Sequence, residues 1–245
     1  MSYRFFTRST PNNGKIMLEG EQARHAIQVM RFNLGDKIVL FDGTGTEYEA
    51  VIDQVEKKRL WLCVENQRVV PRGIRANITL AVALPKGDRQ KVLVEKLVEL
   101  GVARLIPLKS NRSVAVANEK VIQRLQKQVV EASKQCGRNR LMKIESESTI
   151  DGLPSLLEPE ALKLIADPYQ GQSILDVSAQ CLSEMPVEIV AAIGPEGGFD
   201  DGENSMSKEL GFQPMRLGPS ILRVETAAIA VAAILGIGIE SGPDA

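Results

Sequence analysis

Apolar positions change their period once along this chain, near residue 70. Before that point they come in short runs. Tyr3-Arg4-Phe5-Phe6, Lys37 to Phe41, Thr46 to Val55 and Arg59 to Glu65 are rich in β-branched and aromatic residues, and Asp42-Gly43-Thr44-Gly45 supplies turn chemistry. The pattern predicts strands interrupted by one helix near Glu21 to Met30, hence a small β-barrel-like domain over residues 1–71. Pro71-Arg72-Gly73 is the predicted linker.

A second domain, over 74–245, shows alternating strand and helix patterns. Ile78 to Leu84 is a continuous apolar run, Asp88 can cap a helix running to Leu100, Gly101 can end it, and Leu105-Ile106-Pro107-Leu108 is the next strand. This βαβ unit implies a parallel sheet, and so an α/β fold. Further strands are predicted at Leu162 to Ala166, Val187 to Ile193 and Met215-Arg216-Leu217. Helices are predicted at Glu119 to Gln135, Ile150 to Leu157 (a short piece), Asp201 to Leu210 and Thr226 to Ile237. In the helix at 119–135, Ile122, Leu125, Val129 and Ala132 form a buried stripe. Lys120, Arg124, Lys127, Glu131, Lys134 and Arg138 form the opposite one, readable either as a solvated face with Lys127 and Glu131 paired or as a polyanion-binding surface.

Charge distribution favours a local basic surface. The net charge is only −1, yet residues 104–143 carry ten Lys and Arg against Glu119 and Glu131, a local +8. Residues 144–217 come to −11, with fourteen acids against Lys163, Lys208 and Arg216. The middle of the chain is therefore where RNA would bind. Cys63, Cys136 and Cys181 are odd in number and widely spaced, which excludes a disulfide framework and a CxxC zinc site. A single histidine, His25, leaves no multi-histidine metal site, so no metal is expected. The opening Met1-Ser2-Tyr3-Arg4 lacks a signal pattern, and Ala227 to Ile239 is too short to span a bilayer, so a cytoplasmic address is expected.

Two glycine-bearing segments follow apolar strands. Ile193-Gly194-Pro195-Glu196-Gly197-Gly198 is one, and Leu217-Gly218-Pro219-Ser220-Ile221-Leu222-Arg223-Val224-Glu225-Thr226 is the other. Each can bring backbone groups close to a ligand at a strand end, or can be a tight connection that binds nothing. Neither is GxGxxG or GxxxxGK[ST], so dinucleotide and P-loop chemistry lack support.

Five segments, in order, resemble the signatures of the RsmE-type ribosomal RNA uridine-N3 methyltransferases of the SPOUT class. They are Leu84-Pro85-Lys86-Gly87-Asp88-Arg89, the KLVELGV run at 96–102, EASKQCGR at 131–138, IGPEGGF at 193–199 and LGPSILRVETA at 217–227. His25, Val29-Met30-Arg31 and Gly35-Asp36 are similar to the family's opening motif. Phe32, Gly202 and Met142 depart from its usual pattern.

The resemblance implies a PUA-like β-domain followed by an α/β domain tied in a deep trefoil knot, which no periodicity predicts. It implies S-adenosylmethionine (SAM) held by Ala166-Asp167-Pro168, Ile193 to Gly198 and Leu217 to Ala227, a homodimer, and small-subunit (16S) ribosomal RNA as partner. Arg223 is the expected stabilising charge, with Glu196 or Glu225 as proton acceptors; alternatively Arg223 braces those two acids. RNA contacts are expected from Arg24, His25, Arg31, Lys86, Arg112, Lys134, Arg138 and Arg140, although the base rate for single histidines favours His25 as a packed residue on its helix. Open alternatives are another SAM-dependent RNA methyltransferase, a non-catalytic RNA-binding protein and a small-molecule transferase.

Overall fold

The computed structural model describes residues 3–70, 77–184 and 186–238, so the linker Pro71-Arg72-Gly73 and Ile239 lie outside the described residues. These residues form two compact units: 3–70 with 130–141, and 77–129 with 142–184 and 186–238. Residues 130–141, expected in the second domain, therefore group with the first.

The first unit is one five-stranded sheet. Its strands are β1 (Arg4–Phe6), β2 (Lys15–Glu19), β3 (Lys37–Phe41), β4 (Thr46–Val55) and β5 (Arg59–Val69). They lie in the order β1-β3-β4-β5-β2, with β1 parallel to β3 and the other pairs antiparallel. Phe5 of β1 and Ile16 and Leu18 of β2 sit in one core with Leu40, Ile52 and Leu62, so the two ends of the sheet curl around the same apolar centre. The helix predicted at 21–30 is α1 (Gly20–Arg24), continued by a π-helical turn (His25–Val29). Arg31 follows at φ 57, a left-handed conformation that costs a non-glycine residue roughly 1–3 kcal/mol.

In the second unit seven parallel strands form the sheet. They are β6 (Asn77–Val82), β7 (Arg104–Pro107), β8 (Lys143–Ile144), β9 (Leu162–Ala166), β10 (Gln172–Ser173), β11 (Glu188–Ile193) and β12 (Gln213–Arg216), ordered β10-β12-β9-β11-β6-β7-β8. β6 and β11 are mostly apolar and buried almost from end to end because both faces are covered. Ala81, Val190 and Ala192 pack on one face with Ile150, Leu153 and Phe212. The other face carries α6 (Val224–Gly238), which packs on β6 and β11 and also meets α2 (Arg89–Glu99) and α4 (Ile174–Glu184). Helix α3 (Glu119–Cys136) buries Leu125, Val129 and Ala132 of its predicted stripe and leaves Ile122 half-buried, and the piece at 150–157 is a 3-10 turn over Leu153–Leu156.

Capping differs from expectation at two helices. Asp88 stands at the N-cap of α2 with no side-chain capping bond, because its backbone is already helical (φ −65, ψ −18). Asp200, not singled out from sequence, caps α5 (Asp201–Glu209) through a reciprocal capping box with Glu203, which offsets the weak helix former Gly202. Gly101 ends α2 at φ +80, as its position after Leu100 predicts.

Buried polar groups pin both units. Glu188, wholly buried, accepts from Thr79 and Arg104 at 2.5 Å each and from the Glu158 amide at 3.0 Å. In the first unit Glu47 pairs with Arg4 (3.1 Å) and Arg68 (3.2 Å), and also accepts from the Asn139 amide group (3.1 Å).

Candidate functional site

Register explains why three loops meet. Along the sheet Ala192 pairs with Ile165, and Ala166 with Met215, so β9, β11 and β12 end at the same level. The loops after them lie at the C-terminal edge of a parallel sheet, the usual ligand position of open α/β folds. Together they line a cavity of about 380 Å³. Of the residues expected to hold a cofactor, Ala166, Asp167, Pro168, Ile193, Gly194, Pro195, Glu196, Gly197, Gly198, Leu217, Gly218, Ser220, Ile221, Leu222 and Ala227 are in its wall.

Each loop is shaped by a specific local device. Asp167 accepts the amides of Tyr169 (2.7 Å) and Gln170 (3.0 Å), closing an Asx turn, and its own amide donates to the Met215 carbonyl. A side chain at Gly194 would meet the Phe199 ring 2.9 Å from its Cβ, so glycine there lets the loop fold back on the aromatic. The third loop turns directly into α6, whose first turn points Val224 and Ala227 into the cavity.

Arg223 and Thr226 do not line the cavity; both are exposed, because only positions 224 and 227 of that turn face inward. Glu225 is buried and likewise points away from the cavity. The bracing role considered for Arg223 falls to Arg89. Its Nη1 lies 3.0 Å from Glu196 Oε1 and 3.5 Å from Glu225 Oε2, tying the start of α2 to two of the three loops. Glu196's own amide, then Arg89's hydrogen bond and charge and the charge of Arg223, hold that carboxyl below the usual range against the opposing effect of burial. Arg223 has no side-chain hydrogen bond or ion pair among the described residues.

Arg112, expected to contact RNA, stands in the cavity wall and donates to the Gly197 carbonyl at 2.7 Å. Its loop is anchored on the start of α5: Ser110 Oγ and the Asn111 amide donate to Glu203 at 3.0 Å each, and Asn111 Nδ2 donates to Asp200 at 2.6 Å. Val224, within the expected third segment, also lines the cavity, and Tyr169, Gln170, Phe199 and Asn204 complete the wall beyond the expected residues. Arg89 ends the signature segment Leu84-Pro85-Lys86-Gly87-Asp88-Arg89, and Tyr169 directly follows Asp167-Pro168. Nothing in their spacing announced a contact.

The remaining RNA candidates divide by exposure. In the first unit Arg24, His25, Arg31 and Arg140 are exposed, and the His25 ring makes a tilted contact to Phe5 with centroids 6.2 Å apart, so its exposure does not fit a packed helix residue. Lys134 is half-buried, 3.0 Å from Glu131 and 5.8 Å from the centre of the Phe5 ring. Arg138 is corrected: it is 6% exposed, donates through Nε to the Arg140 carbonyl, and burial pushes its guanidinium down to about 10. The cause is the neighbouring Asn139, wholly buried and bonded to Arg4, Glu47 and the Val70 carbonyl, which pulls the basic loop inward. The charged stripe of α3 thus runs from exposed Lys120, Arg124 and Lys127 to half-buried Lys134, and buried Arg138 lies just past the end of the helix. In the second unit Lys86 is exposed.

Two family profiles match. An RNA methyltransferase domain covers residues 73–236 and an RNA methyltransferase PUA domain covers 18–64. Similar curated proteins include ribosomal RNA small subunit methyltransferase E of Synechocystis, 30% identical over 92% of this chain and 74% of that one, and of Rickettsia conorii, 33% identical over 89% and 87%. The crystal structure of a ribosomal RNA small subunit methyltransferase E from Neisseria gonorrhoeae bound to S-adenosyl methionine is 31% identical, covers 95% of this chain and 96% of that one, and superposes with a TM-score of 0.85.

Proposed function

This chain belongs to the RNA methyltransferases, in the family of ribosomal RNA small subunit methyltransferase E, and from that premise we propose that it moves a methyl group from SAM to N3 of a uridine in small-subunit ribosomal RNA. The observation that carries the reading is the convergence of three strand-end loops on one cavity of about 380 Å³. Its size falls in the range of small-molecule sites, and its wall mixes apolar side chains with the backbone of glycine turns. Those groups fit a nucleoside with a charged tail: Ile193, Leu217, Leu222 and Ala227 offer apolar surface, and the turns at 194–198 and 217–220 offer backbone donors and acceptors. When bound, SAM supplies an electrophilic methyl group on a sulfonium.

The chain's own residues then have three tasks. N3 lies on the Watson–Crick edge of uracil, so the base must be unpaired or extruded before it can be reached. The N3 proton passes to solvent, its departure leaves negative charge on the flanking oxygens, and Arg223, exposed and uncommitted among the described residues in the third loop, is the group to stabilise it. Glu196 and Glu225 are held by Arg89 and act as braces; a carboxylate whose affinity for protons is lowered, as at Glu196, is a poor proton acceptor.

Arg24, His25, Arg31 and Arg140 of the first unit, with Lys86 and Arg112 of the second, are the proposed phosphate and sugar contacts. The same reading carries a homodimer, the trefoil knot and a cytoplasmic address; no helix among the described residues is long and apolar enough to cross a membrane. Incubation with labelled SAM and unmodified small-subunit RNA or subunits, followed by location of the methyl group, tests the activity. Arg223→Ala should keep SAM binding and slow transfer by roughly 10²-fold, the scale of losing one oxyanion donor. Near-normal turnover would remove Arg223 from the mechanism.

A further inference from the structure

Four charged groups surround the start of α6, and their pairing is uneven. Arg89 contacts both acids, at 3.0 Å to Glu196 and 3.5 Å to Glu225, whereas Arg223 contacts neither. Arg223 stands two positions before Glu225, whose carboxylate shares Arg89 with that of Glu196, and its charge also acts on Glu196. A guanidinium is drawn toward a neighbouring carboxylate that no other cation neutralises. We propose that Arg89 is a positioning residue that keeps Arg223 available to the substrate by occupying the two carboxylates that would otherwise capture it.

The proposal rests on the reading that Arg223 serves methyl transfer, and it adds a charge partition. Glu196 is in the cavity wall, and Glu225 is one residue from Val224 in that wall. One arginine arriving from a different element, α2, neutralises both without entering the cavity. Removing it would leave two like charges and one neighbouring cation, so Arg223 would turn toward Glu196 and away from the reacting base. The cofactor loops keep their other supports, namely the Asp167 turn, the Arg112 bond to Gly197 and the Phe199 packing under Gly194. Transfer should therefore suffer more than SAM binding.

The test measures single-turnover methyl transfer at saturating SAM, SAM affinity by calorimetry, and the thermal midpoint, for Arg89→Met, Arg89→Lys, Glu196→Gln, Arg89→Met combined with Glu196→Gln, and Arg223→Ala. Arg89→Met should slow transfer by about 10-fold or more while SAM affinity stays within about threefold, the split expected when only a transition-state interaction is lost. Adding Glu196→Gln to Arg89→Met should speed transfer by about fivefold or more, a coupling that independent sites do not show. Arg89→Lys, which can hold one carboxylate, should fall between wild type and Arg89→Met.

If Glu196→Gln fails to speed the Arg89→Met variant, or if that variant loses SAM affinity in step with rate, Arg89 is structural and the proposal is overturned. The two levels separate cleanly. Wild-type transfer by Arg223→Ala sinks the underlying reading, whereas slow transfer by Arg223→Ala with no rescue of Arg89→Met sinks only the role of Arg89.

Discussion

Gly171 closes the first cavity loop where the chain passes against β12, and replacing it by alanine should break that junction. Its φ is +97, and an added Cβ would lie 1.9 Å from the Pro214 carbonyl oxygen, 2.2 Å from its carbon and 2.8 Å from the Met215 nitrogen. No rotamer can relieve a collision with backbone. Either the loop at 167–171 or strand β12 must move, which breaks the β10–β12 pairing (Gln172 with Met215, Ser173 with Arg216) and the bond from Arg216 Nε to the Gly171 carbonyl. The positive φ costs alanine about 1 kcal/mol, and each lost hydrogen bond roughly another.

A destabilisation on the order of 3 kcal/mol follows, or about 6–12 °C in the thermal midpoint for a domain of this size. Gly211→Ala is the control, since φ there is +83 and nothing lies within 4 Å of the added Cβ. It should cost only the conformational part, about 1 kcal/mol, and leave SAM affinity unchanged. Thermal unfolding by circular dichroism and SAM titration by calorimetry measure both effects. Should Gly171→Ala melt within 2 °C or so of Gly211→Ala and bind SAM like wild type, the steric reasoning is refuted, because the close approach would have to relax at no cost.

Three further outcomes are expected. Glu188→Ala leaves Arg104 and Thr79 without their shared buried acceptor, and urea unfolding should show a loss of about 3–5 kcal/mol, the usual effect of breaking a buried pair; under 1 kcal/mol would mean the network is dispensable. Arg140→Gln should reduce the salt dependence of RNA binding by about one phosphate contact, while Arg138→Gln should leave the slope unchanged and lower stability; equal slope changes would contradict the buried placement of Arg138. Asp200 is held below its usual range by the Glu203 amide, then by Asn111, so its contribution to stability is complete above about pH 4 and is lost as pH falls through the depressed folded value. Asp200→Asn should accordingly show a shallower acid limb in denaturation between pH 5 and 2.5, and a limb parallel to wild type would exclude this carboxylate from the acid response.

Elements whose burial is periodic or continuous were legible. β3, β4 and β9 start and end where their apolar patterns do, and β6, β11, α2, α3 and α5 differ by a residue or two at their ends. Helix α4 was not read, because Ser178 and Cys181 take core positions that an apolar pattern would mark. Strands β8 and β10, two residues each, are too short to show any period, and β2 shows only two buried positions.

By itself the sequence determined the two kinds of domain, the parallel sheet and two of the three loops that line the cavity, because hydrophobic period and glycine turns are properties of adjacent residues; the loop at Ala166-Asp167-Pro168 was placed only by the family resemblance. Tertiary structure alone decided which charges meet. Arg89 reaches Glu196 and Glu225 across 107 and 136 residues, Arg112 reaches Gly197 across 85, and Asn139 draws Arg138 into the first unit through Glu47, 92 positions away. A long polar side chain is spelled the same whether it is solvated, bracing or buried. Only the register of strands that brings distant loops to one edge settles which of these it is.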